Sequence, residues 1–260
     1  LSSRSIETPY IIRRWLSQAL QYTYLILARS EKDKDNYLKI RTSNEKIKVT
    51  GNIKYAFSSK GIITPVDLSF PYILIASSRD YEEKLLCEKL LSHKPVPLIV
   101  IVPRHIKRMP TLISELNSLT NFISVRSRNE PVTKKTKIYI ADTFGELNQF
   151  IAGSEFVIMG GSFKPFGGQN IIEVASANKA VLFGPYMENF SDEARQFIKH
   201  NAGIQVTSVD SLLEETIKLL NNPAIAHEMG NNGYSFVQQY TDIIDRYYIE
   251  ISSHCSKLKI

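Results

Sequence analysis

The glycine-rich stretch at 160–173, GGSFKPFGGQNIIE, has the residue types and spacing of a ligand-binding loop. Two glycine pairs enclose a short loop, and Asn170 and Glu173 follow three residues apart, on one face of a predicted helix that begins near Gln169. Free N–H groups and the helix dipole at such a start attract anions. The lysine of a P-loop and the GxGxxG spacing are both missing. The stretch therefore predicts a phosphate site, with Glu173 suited to neutral hydroxyls such as those of a ribose, or else a simple turn.

A second candidate is Arg104, in the segment PRH at 103–105, directly after the apolar run 97–102. An arginine at the end of a strand offers a planar fork of donors to a phosphate or a carboxylate. A solvated cation on a loop is the alternative interpretation. The neighbouring His105, as a lone histidine, indicates a structural or solvated side chain.

Two further segments follow predicted strands and lead into helices. In ADTFGEL, at 141–147, Asp142 and Thr143 either cap a helix with Glu146 in its first turn or form a turn that meets a nucleobase. In FGPYMENFSDEA, at 183–194, a Gly-Pro turn precedes another helix start. Ligands of open α/β sheets bind at the carboxyl ends of the strands, so these segments together predict one binding site.

Short apolar runs that alternate with helical patterns position these segments. The runs predict strands at 24–28, 46–51, 72–77, 97–102, 122–126, 137–141, 156–160, 180–184 and 203–207. Several lack a polar–apolar alternation, which indicates a sheet covered by helices on both faces. Helices are predicted at 79–92 and at 191–203, the second with Gly203 as its C-cap. The alternation of strands and helices predicts an α/β fold with a mostly parallel sheet.

The segment 51–71 is rich in Gly, Ser and Pro and has weak periodicity, which predicts a domain boundary. After it, the alternation of strands and helices continues to about residue 207. The remainder, 208–260, is helical in pattern with an interruption at NNPAIAHEMGNNG, residues 221–233.

Length, charge and cysteine content limit the classes of protein. The 260 residues suit one large domain, or one domain and part of another. A net charge of +6 favours an anionic partner such as a nucleotide or phospholipid headgroup, or indicates only a solvated basic surface. Cys87 and Cys255, without a Cys/His cluster, argue against a disulfide framework or structural zinc and favour a reducing compartment. No apolar run of about 18 residues predicts a transmembrane segment, and the start at Leu1 suggests a fragment or a processed product.

Four segments, in this order and spacing, resemble the bacterial 3-deoxy-D-manno-octulosonic acid (Kdo) transferases. They are GNIKYAF at 51–57, PRH, ADTFGEL and the glycine-rich block that extends to ENF at 190, and the segments LSSRS at 1–5 and ILARSEKDKDNY at 26–37 are similar to the same family. The resemblance covers essentially the whole chain. It implies the GT-B fold, in which two Rossmann-like domains enclose the active site.

The family resemblance also implies a domain organisation. Residues 1–50 would be the incomplete end of the amino-terminal acceptor domain, and 51–235 the Rossmann-like domain that binds the donor nucleotide. Residues 236–260 would form a carboxyl-terminal helix that crosses back to the first domain.

The resemblance further implies a reaction and a set of donor contacts. The family transfers Kdo from CMP-Kdo to a lipid A precursor in lipopolysaccharide core biosynthesis, at the cytoplasmic face of the bacterial inner membrane. It does so with inversion, without a metal in the active site and without a cofactor besides the donor. By position, Arg104 would bind the phosphate or the carboxylate of the donor, and Glu173 would bind the ribose. The other implied contacts are Asp142, Thr143 and Gly145 at the cytosine, and Gly161, Ser162, Gly167, Gly168 and Asn170 at the phosphate.

The family's amino-terminal half, with its membrane-associated start, acceptor groove and glutamate general base, is not found in these 260 residues. Glu7, Glu31 and Glu45 lie in helix or loop contexts that do not match that base. We therefore expect this chain to bind the donor, while the missing amino-terminal half binds the acceptor and the membrane surface and supplies the base. The chain is then one piece of a split enzyme with a separate amino-terminal half, a truncated product or a decayed remnant.

Two alternatives remain at this point: a glycosyltransferase or epimerase that uses a UDP-sugar, and a non-catalytic remnant or scaffold of a split enzyme. Nucleic-acid binding is disfavoured, because the basic residues are scattered and no aromatic stacking platform is evident.

Overall fold

The computed structural model describes residues 8–59 and 63–258, so Glu7 and the LSSRS segment lie outside the described residues. The elements in chain order are α1 (Tyr10–Gln21), β1 (Ile26–Ala28), α2 (Glu31–Lys39), β2 (Ile47–Val49), β3 (Tyr72–Ser78), α3 (Glu82–Leu91), β4 (Leu98–Pro103), α4 (Met109–Asn117), β5 (Ile123–Val125), β6 (Ile138–Ile140), α5 (Leu147–Gly153), β7 (Val157–Met159), α6 (Ile172–Ser176), β8 (Val181–Phe183), α7 (Ser191–Lys199), β9 (Gly203–Gln205), α8 (Val209–Asn221), α9 (Pro223–Gln238) and α10 (Ile243–Leu258). All nine predicted strands are present, most of them shorter than predicted at one or both ends.

The chain divides into two compact units, one formed by Leu1–Phe57 with Gln239–Ile260 and the other by Ser58–Gln238. In the first unit, β1 and β2 form a two-stranded parallel sheet. Its two chain segments are joined by the Tyr247 hydroxyl, which donates to the carbonyl oxygen of Gly51 at 2.8 Å. The rings of Tyr55 and Tyr240 also stack at 4.3 Å. The domain bounds predicted from the sequence stay a prediction.

The second unit is built on a seven-stranded sheet in the order β5-β6-β4-β3-β7-β8-β9, with every neighbouring pair parallel. Every residue of β3 and β4 is buried, as expected for strands whose two faces are both covered. Ile73 and Ile75 of β3 pack in one core with Leu86 and Leu90 of α3. The α/β class predicted from the apolar runs is confirmed.

The strand order reverses at β3, and this reversal positions the candidate site. From β3 the chain proceeds through β4, β5 and β6 on one side, whereas β7 pairs with the other edge of β3. The connections that leave β3 and β7 therefore diverge at the carboxyl end of the sheet. In open α/β sheets, a crevice at this position is the usual place for a ligand.

Three local predictions differ from the structure in position or extent. The interruption predicted at 221–233 is confined to Asn222, because α8 ends at Asn221 and α9 runs from Pro223 to Gln238. Its Gly230 packs so closely on the loop after α6 that a Cβ there would lie 2.9 Å from the carbonyl carbon of Asn178. Gly203 is the first residue of β9 and caps no helix, since α7 ends at Lys199. The helix after the glycine pairs begins later than predicted and has only five residues.

Candidate functional site

The glycine loop, defined as residues 160–168, leaves β7 beside the carboxyl end of β3. Its backbone has positive φ at Gly161 (68°), Gly167 (88°) and Gly168 (79°), values that residues other than glycine rarely adopt. The loop closes on itself through the N–H of Gly168, which donates to the carbonyl oxygen of Gly161 at 2.8 Å. The backbone conformation therefore requires these glycines independently of any ligand.

A carboxylate from outside the loop binds its first half. Glu82, which is 0% exposed, accepts hydrogen bonds from the N–H groups of Gly161 (2.6 Å), Phe163 (2.8 Å) and Lys164 (3.2 Å). It also accepts from the N–H of Arg79 at 3.1 Å. Burial raises the pKa of Glu82, while the backbone N–H donors oppose that rise. The predicted phosphate cradle thus already holds an anion of the protein in its first half.

The hydroxyl of Ser162 connects the loop to the neighbouring strand. Ser162 is fully buried, and its Oγ donates to the carbonyl oxygen of Met159 at 2.6 Å and accepts from the N–H of Gly184 at 2.8 Å. Both hydrogen bonds lie within the protein. The side chain of Ser162 therefore holds the loop against the turn after β8.

Asn170 and Glu173 lie together directly behind the loop, as their spacing predicts. The Asn170 side-chain amide donates to a Glu173 carboxylate oxygen at 2.8 Å, and the Ile172 N–H donates to the Asn170 Oδ1 at 3.3 Å. Both side chains are partly exposed. The structure thus presents a partly exposed carboxylate with a fixed orientation directly behind the glycine loop.

The polar side chains of the turn at 141–147 form hydrogen bonds with other residues of the protein. Asp142 is buried and accepts from the backbone N–H of Ser127 at 2.9 Å and from its hydroxyl at 2.6 Å. The Thr143 hydroxyl donates to Glu146. Neither Asp142 nor Thr143 caps a helix, since α5 begins after Glu146 without a side-chain cap. The first polar groups of this turn therefore bind protein partners.

Arg126 pairs with Glu146, the second carboxylate of this turn. Its guanidinium donates to both oxygens of Glu146, at 2.6 and 2.5 Å, and lies 5.3 Å from the ring centroid of Phe150. Hydrogen bonding from Arg126 lowers the pKa of Glu146 and raises that of Arg126 itself. A cavity of about 810 Å³ opens beside this pair and is lined in part by Thr143 and Tyr139.

Arginines follow the two central strands. Arg104 is exposed after β4, and its backbone N–H donates to the carbonyl oxygen of Ser78 at 2.9 Å, which places it beside the end of β3. Arg79 follows β3 directly and was not predicted from the sequence. Its guanidinium lies 4.8 Å from the ring centroid of Phe166 in the glycine loop. The signal was available, because Arg79 follows an apolar run just as Arg104 does.

The predicted donor contacts fall into two groups. Those of the glycine loop and the Asn170–Glu173 pair lie next to the end of β3, with Arg104 on its other side. Asp142, Thr143 and the exposed Gly145 follow β6, three strands away from β7. At a strand spacing of about 4.8 Å, the two groups are about 14 Å apart along the sheet edge. Their assigned roles stay predictions.

Residues 8–59 and 63–258, which the structure describes, contain neither a group of metal-binding side chains nor a membrane-spanning helix. There, no three or more His, Cys, Asp or Glu side chains are grouped so that they could hold a metal ion. No helix of the same residues combines the length and the apolarity needed to cross a bilayer. Cys87 and Cys255 are both free thiols, the first buried and the second exposed.

Known proteins resemble the chain in sequence. A family model described as 3-deoxy-D-manno-octulosonic-acid transferase (kdotransferase) matches residues 1–57. The 3-deoxy-D-manno-octulosonic acid transferase of Bordetella pertussis is 30% identical over 226 residues, which cover 81% of this chain and 53% of that protein. The transferase of the same name from Haemophilus influenzae is 26% identical, over 95% of this chain and 60% of its own length. The chain thus spans about half the length of the curated relatives it matches.

Solved structures resemble the chain in fold. The C-terminal CMP-Kdo binding domain of WaaA from Acinetobacter baumannii matches with a TM-score of 0.61 at 24% identity, over 72% of this chain and 94% of that domain. Anabaena HepE in complex with UDP-glucose matches with a TM-score of 0.64 at 14% identity, over 97% of this chain and 68% of that protein. The predicted GT-B glycosyltransferase fold is confirmed.

Proposed function

We propose that this chain, a relative of the bacterial Kdo transferases that corresponds to their carboxyl-terminal portion, binds CMP-Kdo as the donor half of an inverting Kdo transferase. The acceptor is a lipid A precursor, and the reaction belongs to lipopolysaccharide core biosynthesis at the cytoplasmic face of the bacterial inner membrane. The amino-terminal half of that enzyme supplies the acceptor groove, the membrane contact and the general base. No cofactor besides the donor takes part.

The observation that carries this proposal is the set of groups at the reversal of strand order. The glycine loop, the Asn170–Glu173 pair and Arg104 flank the end of β3, where ligands of this fold class bind. The names of the relatives agree with it, because the curated proteins are Kdo transferases and the Acinetobacter domain is a CMP-Kdo binding domain.

These residues divide the work of donor binding and leaving-group stabilisation. Arg104 binds the phosphate or the carboxylate of CMP-Kdo, and Glu173 accepts hydrogen bonds from the ribose hydroxyls. The acceptor hydroxyl oxygen forms a bond to the Kdo anomeric carbon as the bond between that carbon and the phosphate oxygen breaks, and CMP departs with the electron pair. Hydrogen-bond donors held in place by the fold, such as the guanidinium of Arg104, stabilise the negative charge that develops on this phosphate. The proton of the acceptor hydroxyl goes to the base of the amino-terminal half.

Titration calorimetry with CMP tests the proposal. We expect the folded chain to bind CMP, and we expect Glu173→Ala to weaken CMP binding at least tenfold, as the loss of a charge-assisted hydrogen bond implies. Arg104→Ala weakens CMP by the same factor if Arg104 binds the phosphate, and weakens only CMP-Kdo if it binds the carboxylate. Arg246→Ala is the control, because Arg246 is an exposed arginine of α10 paired with Asp242. A folded sample that shows no binding at millimolar CMP would overturn the proposal.

Competition between CMP and UDP separates this function from that of an enzyme using a UDP-sugar. We expect CMP to displace UDP and not the reverse. A transferase assay with CMP-Kdo, a lipid A precursor and a matching amino-terminal half distinguishes an active split enzyme from a scaffold. Product formed only with both halves present supports the proposal, whereas donor binding without product would identify a scaffold.

A further inference from the structure

Arg79 is anchored against the glycine loop by a shared acceptor. Its backbone N–H donates to the Oε2 of Glu82 at 3.1 Å, and the same oxygen accepts from the N–H of Gly161 at 2.6 Å. Glu82 is buried, so this connection is shielded from water. The end of β3 and the start of the loop are therefore held together at the point where the strand order reverses.

The Arg79 side chain extends over the loop. A Cβ built on Gly161 would lie 3.5 Å from the Cγ of Arg79, which means that the stem of the arginine passes over this glycine. The guanidinium then lies 4.8 Å from the ring centroid of Phe166. Contact with an aromatic face holds a guanidinium in place while its N–H groups stay available to an anion.

The acids nearest to Arg79 in sequence are all bound to other groups. Asp80 and Glu83 both pair with Arg108, at 2.9 and 2.5 Å, and Glu82 accepts from backbone N–H groups. Among the residues that the structure describes, no carboxylate lies within 4 Å of the Arg79 guanidinium. The acidic residues that follow Arg79 in the sequence therefore do not pair with its guanidinium.

Other arginines of the chain with partly buried side chains do have acidic partners. Arg108 contacts three carboxylates, and Arg126 binds both oxygens of Glu146. Arg79 is also partly buried, and desolvating a cation without an acidic partner is unfavourable. Its isolation within the fold is therefore explained best by an anion that arrives with a ligand.

We propose that Arg79 is a second anion-binding residue of the donor site and acts beside Arg104. This inference rests on the proposed function, because CMP-Kdo carries two anionic groups, a phosphodiester and a carboxylate. The two arginines follow neighbouring strands, and the Arg104 N–H bonds to the last residue of β3. Arg79 binds an oxyanion of the donor, and the ligands below distinguish phosphate from carboxylate.

The test is calorimetry with cytidine, CMP and CMP-Kdo on the wild type, Arg79→Gln and the control Arg246→Gln. If Arg79 binds phosphate, Arg79→Gln weakens CMP about 10- to 100-fold and leaves cytidine unchanged. If it binds the carboxylate, the loss appears only with CMP-Kdo. Arg79→Lys keeps the charge without the planar fork, and we expect it to recover part of the affinity.

Three results overturn the inference. One is equal affinity of Arg79→Gln and wild type for all three ligands. Another is the same loss for cytidine as for CMP, because that indicates a disturbed fold. A wild type that binds neither CMP nor CMP-Kdo overturns the proposed function and this inference together, whereas binding that is insensitive to Arg79 overturns the inference alone. Urea unfolding of each variant reports whether the fold is retained.

Discussion

The turn at 141–147 and the glycine loop lie on the same edge of one sheet but use their polar groups differently. In the turn, the side chains bind one another or their neighbours: Asp142 binds Ser127, and Glu146 binds Arg126. At the glycine loop, the carboxylate of Glu82 binds the loop's backbone N–H groups. The guanidinium of Arg79, which lies over the loop, has no carboxylate partner among the described residues. The difference teaches that a polar residue at a sheet edge is informative about ligands only once its internal partners are known.

The largest expected effect is that of Glu82→Ala on the loop. Backbone N–H groups in a buried setting would lose their common acceptor, so we expect the free energy of unfolding to fall by about 3 kcal/mol or more. Urea denaturation measures it. The matched control is Glu88→Ala, an exposed glutamate of the same helix. Equal stability of the two variants would show that Glu82 does not hold the loop.

A pair of glycine substitutions compares the two regions directly. Gly168 has φ 79°, and a Cβ there would lie 2.5 Å from the Met187 Sδ, whereas Gly145 has φ 84° with nothing within 4 Å. Gly145→Ala incurs only the backbone penalty, about 1–2 kcal/mol, while Gly168→Ala adds overpacking of about 1 kcal/mol or more. Thermal or urea unfolding measures both. A larger loss at Gly145 than at Gly168 would contradict the difference in packing.

Asp142→Ala tests whether the turn is structural. Ser127 loses an acceptor for its N–H and its hydroxyl, so we expect the free energy of unfolding to fall by about 1–2 kcal/mol. A double-mutant cycle with Ser127→Ala isolates the coupling between the two residues. We expect CMP affinity to fall less than in Glu173→Ala. Unchanged stability with a large loss of CMP affinity would instead assign Asp142 to the nucleobase and remove the contrast.

The smallest expected effect is the pH dependence of the Glu146–Arg126 pair. Because Arg126 lowers the pKa of Glu146 in the folded state, the pair stabilises the fold above the unfolded-state pKa of about 4.3. This stabilisation is lost as the pH falls through the lower, folded-state pKa. The difference in free energy of unfolding between wild type and Glu146→Gln, about 1 kcal/mol or less for a partly exposed pair, should therefore shrink below pH 4. A difference that stays constant from pH 6 to pH 3 would contradict the assignment.

The strands and the spacing of Asn170 and Glu173 were predictable because they depend on local pattern. Unbroken apolar runs give strands buried on both faces, and a separation of three residues places two side chains on one helix face. The resemblance to the Kdo transferases and the GT-B fold also followed from ordered motifs, and both are confirmed. These features need no knowledge of what the chain packs against.

The role of Glu82 was not predictable, because acids are common in the first turn of any helix. Only the tertiary fold brings it to N–H groups about 80 residues away in sequence. The glycine inside helix α9 has a similar origin, because Gly230 lies so close to Asn178 that a Cβ would not fit. Its presence there reflects tertiary packing, although glycine in a sequence predicts a helix break. What remained hidden in the sequence was pairing over long separations.

The internal carboxylate beneath the glycine loop also determines when the loop loses its conformational freedom. Ordering a backbone costs about 1–2 kcal/mol per residue in entropy. Because Glu82 binds the loop in the folded chain, this entropy is lost during folding and not when a ligand binds. A ligand that binds to this loop would meet a segment ordered during folding, and its binding would lack the large unfavourable entropy of coupled folding. The amides of Gly161 and Phe163 should accordingly be protected from hydrogen exchange before any nucleotide is added.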